Sequence, residues 1–215
     1  MARRGPYAKS RAVRETILSA ALDVVAVRGF SDATVAEIAE AVEMSKAGVL
    51  HHFGSRDELF AAVLEHRDER NNELHKHNDA VDAMFAVIDH NTDVPGLVAL
   101  FSAFTAGGAA GSPASAAHRF TAERYDRIVA QLADAIAHRP GWCDRPHDDA
   151  VEAARLLIAA TDGLQTQWLV NRSVDMAAAV RNLWAALDRG GPAPVLAAPE
   201  AQEPDVPDPH GTAQH

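Results

Sequence analysis

Apolar side chains recur at helical spacing along most of the chain, and nowhere do they alternate long enough to suggest a strand. Val13, Ile17, Ala20, Ala21 and Val24 fall on one face of a first helix over 10–28, which Gly29 stops. Val35, Ile38, Ala39 and Val42 repeat the spacing in a short second helix. Thr34 and Glu37 stand at its start as a capping box, in which hydroxyl and carboxylate reciprocally satisfy orphan amides. Ser45 caps a third short helix with Val49 and Phe53 on its inner side. Ser55 with Glu58 repeats the box and opens a fourth helix, through Leu59 and Val63 to Lys76, whose middle is mostly polar. Further helices are predicted at 79–90, 95–107, 114–139, 147–171 and 175–188, separated by breakers at Pro95, Gly107-Gly108, Gly111, Pro113, Pro140-Gly141 and Pro146. From Gly190 the chain is proline-rich and poor in large apolar groups, the composition of a disordered tail. The fold class expected is all-α.

Two short helices around a tight turn, followed by a capped third, are the grammar of a DNA-reading helix-turn-helix. Each signal alone occurs in many helical proteins; their order, with a basic segment in front and a long helical region behind, is more specific. The entry helix AVRETILSAALDVVAVRGF, the segment ATVAEIAEAVEMSKAGVLHHF and the following GSRDELF resemble the TetR family of bacterial transcriptional regulators. The resemblance implies a basic arm and three-helix DNA-binding domain over 1–56, a larger helical ligand-binding and dimerisation domain over 57–189, and a tail over 190–215. Two positions depart from the family pattern. The turn, usually glycine, holds Glu43, and a non-glycine residue in the left-handed conformation costs on the order of 1 kcal/mol. The recognition helix, usually ending in two tyrosines before histidine and phenylalanine, has Leu50 and His51 there, which removes one phosphate-contacting hydroxyl and replaces a phenol with imidazole.

A recognition helix offers its N-terminal residues to base edges while neighbouring caps hold phosphates. Ser45, Lys46, Ala47, Gly48 and His51 are therefore the groove-facing candidates, small side chains at 47 and 48 letting the backbone approach. Thr34, His52 and Arg56 are the phosphate candidates, Thr34 and Arg56 at helix starts whose amides favour an anion. The bland alternative makes Gly48 a weak helix position and Lys46 a solvated charge.

Charge is unevenly placed. The 215-residue chain carries −10, yet residues 1–56 hold eight bases against six acids, so the head is +2 and the remainder −12. The first fourteen residues contain Arg3, Arg4, Lys9, Arg11 and Arg14 and no acid; such an arm either lies along a phosphate backbone or is an ordinary solvated tail. Cys143 is the sole cysteine, which excludes an intrachain disulfide and a thiolate metal cage within one chain. MARRGPYAKSR lacks the apolar stretch of a signal peptide, and no apolar run approaches the ~20 residues of a membrane span, so a cytoplasmic protein without membrane partners is expected.

The family resemblance implies two more partners. One is a second copy of the chain, since a pair of heads set roughly 34–36 Å apart reads successive turns of DNA. The last two long helices are the expected interface, with Ala153, Leu156, Leu157, Ala160, Leu164, Trp168 and Leu169 on one and Met176, Val180, Leu183, Trp184 and Leu187 on the other, although some of these must belong to the core of one chain. The other partner is a small-molecule effector, for which Met84, Phe85, Phe101, Phe104, Phe120, Tyr125 and Trp168 are candidate apolar walls and His118, Arg119, Gln165 and Gln167 polar anchors. Gly107 to Gly111 is either a gate to that pocket or a loose loop. No cofactor is implied. No GxSxG, GxxxxGK[ST], HExxH or Rossmann glycine pattern occurs, and His75 and His77 diverge on a helix too far to share an ion. A ligand-responsive operator-binding repressor is therefore expected; the competing reading is a small-molecule-binding or enzymatic helical protein with a vestigial helix-turn-helix.

Overall fold

A computed structural model describes residues 6–29 and 34–190. Among the described residues the chain is helical with no strand: α1 (Pro6–Arg28), α2 (Thr34–Ala41), α3 (Lys46–Phe53), α4 (Arg56–Leu74), α5 (Ala80–Asn91), α6 (Pro95–Ala110), α7 (Ala116–Ala137), α8 (His147–Val170) and α9 (Met176–Asp188). The basic positions 3 and 4, Phe30 and the proline-rich tail lie outside the described residues. No described single helix is long and apolar enough to cross a membrane.

The boundaries follow local chemistry. Gly29 ends α1 at φ 78°, its amide bonded to the Val25 carbonyl. Ser45, Ser55, Asp79, Ser115 and Asp175 each cap a helix by accepting from a backbone amide in its first turn. Two ends differ from expectation by more than two residues. Pro6 begins α1 earlier, since proline is tolerated where amides are unsatisfied anyway. At the other end of the protein's middle, α6 runs through Gly107 and Gly108 to Ala110. Gly108 is buried, and a Cβ there would lie 2.6 Å from both the Ala117 carbonyl and Thr121 Oγ1. That glycine sets how closely α6 and α7 approach; it is no flexible gate.

Two apolar cores organise the helices. The first joins Ile17, Leu22 and Val25 of α1, Ile38 of α2, Val49 and Phe53 of α3 and Phe60 of α4 to Leu100 and Phe104 of α6 and Phe120 of α7. The helix-turn-helix is thus built into the body through α1 and α4. The contact is tightest at Gly96, where a Cβ would fall 1.9 Å from the Val25 carbonyl, so the start of α6 abuts the end of α1 backbone to backbone. The second core gathers Ile88, Leu132, Ile136, Leu157, Trp168, Met176, Val180 and Trp184 from α5 and α7 to α9. Trp142 stacks on Trp184 at 5.8 Å and donates its indole N–H to Asp188, which fastens the end of α9 to the loop before α8.

Candidate nucleic-acid interface and ligand cavity

The turn between α2 and α3 is a Schellman closure. The Met44 amide donates to the Ala39 carbonyl and the Glu43 amide to the Glu40 carbonyl, which places Glu43 at φ 54°. It is the one described non-glycine residue at positive φ, at the position where the sequence departs from glycine. Ser45 Oγ then accepts the Gly48 amide at 3.0 Å and starts α3. Val49 and Phe53 are buried under the helix, and Leu50 packs half-buried beside them. Arg14 of α1 fixes the far end: its Nη1 donates to the His52 carbonyl at 2.6 Å while its guanidinium lies 4.1 Å over the Phe53 ring. A cation at the negative end of α3 is favoured by the helix dipole as well.

With its underside anchored, α3 turns Ser45, Lys46, Ala47 and His51 to solvent, with Gly48 half-exposed between them. A Cβ on Gly48 would meet Ser45 Oγ at 3.2 Å, so any larger residue crowds the cap. His52 is half-buried, as is Arg56, which sits 5.1 Å from the Phe60 ring and 3.8 Å from Asp57. Thr34 is different. It is the first residue of α2, fully buried, and its hydroxyl donates inward to the Gly29 carbonyl at 3.2 Å. It ties the helix to the end of α1, its hydroxyl buried inside the head. At the start of α4, Glu58 is bonded by Arg119 of α7, which also donates to the Ala114 carbonyl.

A cavity of about 330 Å³ opens between α4, α5, α7 and α8, with Phe101 of α6 on its wall. Met84, Phe101 and Gln165 line it as the sequence predicts. Phe85, Phe104, Phe120, Tyr125 and Trp168 do not. Phe104 and Phe120 pack edge to face at 5.7 Å in the first core, and Trp168 is buried in the second with Arg172 stacked outside it at 3.8 Å. Tyr125 donates its hydroxyl to Asp162, which does line the cavity. Of the other polar candidates, His118 Nδ1 contacts the Gly108 carbonyl at 3.0 Å and Gln167 is exposed.

What sequence reasoning missed are the charged groups of the cavity. Arg67 of α4 is 8% exposed, and its Nη2 donates to Asn91 Oδ1. Desolvation pulls its pKa down to about 10. Asp68 holds Arg124 Nε at 2.9 Å and Arg127 Nη2 at 3.3 Å. Burial raises the pKa of Asp162, against the Tyr125 hydrogen bond and the charge of Arg124, so ionising this carboxyl costs the fold stability. The signal was present in α4, where Phe60, Val63, Leu64 and Arg67 follow one another on a single stripe: an arginine occupies the next apolar place.

On the outside of α8, Leu156, Ala159, Gly163, Thr166 and Val170 are exposed at alternating three- and four-residue spacing, Val170 at 88%. Of the residues expected at an interface, Ala153, Leu157, Trp168, Met176, Val180 and Trp184 are instead core of this chain. Periodicity reported their burial correctly and could not say against what.

A three-helix head with an exposed short helix, built onto a helical body with an internal cavity, defines a helix-turn-helix protein with a second, body-forming unit. Residues 17–63, the head, match the family described as bacterial regulatory proteins, tetR family. The chain is 32% identical over 76 residues to the HTH-type transcriptional repressor AcnR of Corynebacterium glutamicum, a match covering 35% of this chain and 40% of that protein. The chain therefore matches well under two thirds of that relative's length. Among solved structures it resembles a TetR transcription regulator from Haloarcula marismortui, at 19% identity and a TM-score of 0.66 over 83% of this chain and 97% of the other. It also resembles a putative transcriptional regulator from Saccharomonospora viridis, in complex with choline, at 22% identity and 0.61 over 84% and 97%. These two likenesses concern the fold.

Proposed function

We propose that the protein is a cytoplasmic, sequence-specific DNA-binding regulator, a repressor whose two heads in a homodimer leave the operator when a small molecule fills the cavity. The observation that carries the reading is α3, a short helix with large apolar groups beneath and Ser45, Lys46, Ala47 and His51 presented outward at its N-terminal half. Small residues allow the backbone to enter the major groove, and Lys46 and His51 supply donors for base edges or phosphates. Gly48, His52 and Arg56 flank this face. The exposed stripe of α8 supports the homodimer, and the shared first core supports a path from cavity to head, since α4 carries both Phe60 of that core and Arg67 of the cavity. An effector acts only by binding the operator-free conformation more tightly than the operator-bound one. The competing reading, a helical binding protein or enzyme with a vestigial head, gives no reason for an anchored α3 with an exposed cationic face.

Substitution on α3 tests the proposal. Lys46→Ala and His51→Ala are expected to weaken operator binding by about tenfold or more each, with the fold intact by circular dichroism. Unchanged affinity in both would remove α3 as the reading element.

A further inference from the structure

Arg67 is a cation in surroundings that disfavour one. Its guanidinium offers five N–H donors. Among the described residues Asn91, a neutral amide, is its one hydrogen-bond acceptor, and the charge of Asp68 favours it only from beyond ion-pair distance. The desolvation noted above still leaves the group charged at neutral pH. Buried charges are ordinarily paired, because an uncompensated one is among the costliest groups a fold can contain. This one lines a cavity.

The remaining walls narrow what would satisfy it. Arg124 and Arg127 both pair with Asp68, while Asp162, whose pKa burial raises, accepts the Tyr125 hydroxyl. Three guanidinium groups thus share two carboxylates, an excess of positive charge in the lining. The lining also holds the neutral amides Asn71, Asn72, Asn78 and Gln131 and the cation Lys76, beside an apolar wall of Met84, Ile88, Phe101, Ile128 and Ile158. A cationic ligand would need an aromatic face or an available carboxylate. Phe101 is the aromatic wall, and Arg124 already lies 4.5 Å over its ring; Asp68 is taken by its two arginines. At about 330 Å³ the cavity falls at the small end of the ~300–1,000 Å³ usual for small-molecule sites.

We infer that the effector is a small amphipathic carboxylate, its anionic head paired with Arg67 and its hydrocarbon part lying on Met84, Ile88, Phe101 and Ile128. The inference rests on the reading of this cavity as the effector site, and it adds the ligand's charge and shape.

Calorimetric titration of the full chain without DNA tests it, with sodium octanoate, octyltrimethylammonium and 1-octanol as probes of one chain length and three head charges. Octanoate is expected to bind at one per protomer, 1-octanol at least about tenfold more weakly, as for the loss of a hydrogen bond to a charged group, and the ammonium not measurably. Arg67→Gln is expected to weaken octanoate by about tenfold or more while leaving 1-octanol unchanged. No octanoate binding, ammonium binding equal to or tighter than octanoate, or undiminished octanoate binding by Arg67→Gln overturns the inference. The head-group comparison uses the unmodified protein, so it decides even where the variant does not fold. Operator binding is measured separately: operator preference without octanoate binding overturns the ligand class alone, whereas octanoate binding without operator preference overturns the regulatory reading and leaves the ligand class standing.

Discussion

Glu43 carries a strain that its neighbours make necessary. The Schellman closure requires a left-handed residue between α2 and α3, and a side chain with a Cβ there costs roughly 1–2 kcal/mol. Its carboxylate also sits at the negative end of α2, where the helix dipole repels it. Glu43→Gly relieves both, against roughly 0.5–1 kcal/mol of extra chain entropy. The expected result is a net stabilisation of about 1 kcal/mol in urea unfolding, whereas Glu43→Ala, which keeps the strain, gains little. A loss of stability in the glycine variant would contradict this account of the turn. That position was legible in the sequence, because a turn of fixed geometry makes one residue's identity conspicuous. Arg67 was marked only by its place on the apolar stripe of α4, and an arginine in a polar run reads as solvated until the partner helices are placed around it.

At the scale of elements, the join between head and body is a contact of helix ends. Gly96 brings the start of α6 onto the last carbonyls of α1, and nothing larger than hydrogen fits against Val25. Gly96→Ala must therefore move one helix end off the other, and an expected destabilisation of about 1–3 kcal/mol follows from overpacking. Gly107 supplies the internal control: on the same helix it has open space around its Cβ position, so Gly107→Ala is expected to stabilise by about 1 kcal/mol through helix propensity. Thermal unfolding of the pair checks this, and two equal shifts would deny Gly96 its packing role. Helix boundaries were readable wherever a capping side chain or a left-handed glycine marks them, as at Ser45, Ser55 and Gly29. They were misread at Gly107-Gly108, because a glycine chosen for close helix approach looks in sequence like a breaker.

Across the whole molecule, the two cores place the parts in series: the cavity among α4, α5, α7 and α8, the first core around α1, α4, α6 and α7, and α3 at the far side of that core. The sequence revealed the head nearly residue by residue, since its order of caps, turn and short helices is local. It revealed the body only as helices, because a buried aromatic such as Phe104 or Trp168 has the same periodicity in a core as in a cavity wall. The outward stripe on α8 predicts a dimer at micromolar concentration by sedimentation equilibrium, converted to monomer by Leu156→Glu with Val170→Glu; a monomeric unmodified chain would contradict it. In this arrangement α3 is the element expected to read sequence. Fluorescence anisotropy with the DNA upstream of this protein's own coding region, against a scrambled fragment at about 150 mM salt, tests it most directly, because non-specific phosphate attraction is weakened there. Binding to the native fragment is expected to be at least on the order of a thousandfold tighter than to the scrambled one; equal, weak binding to both would contradict a sequence-reading α3.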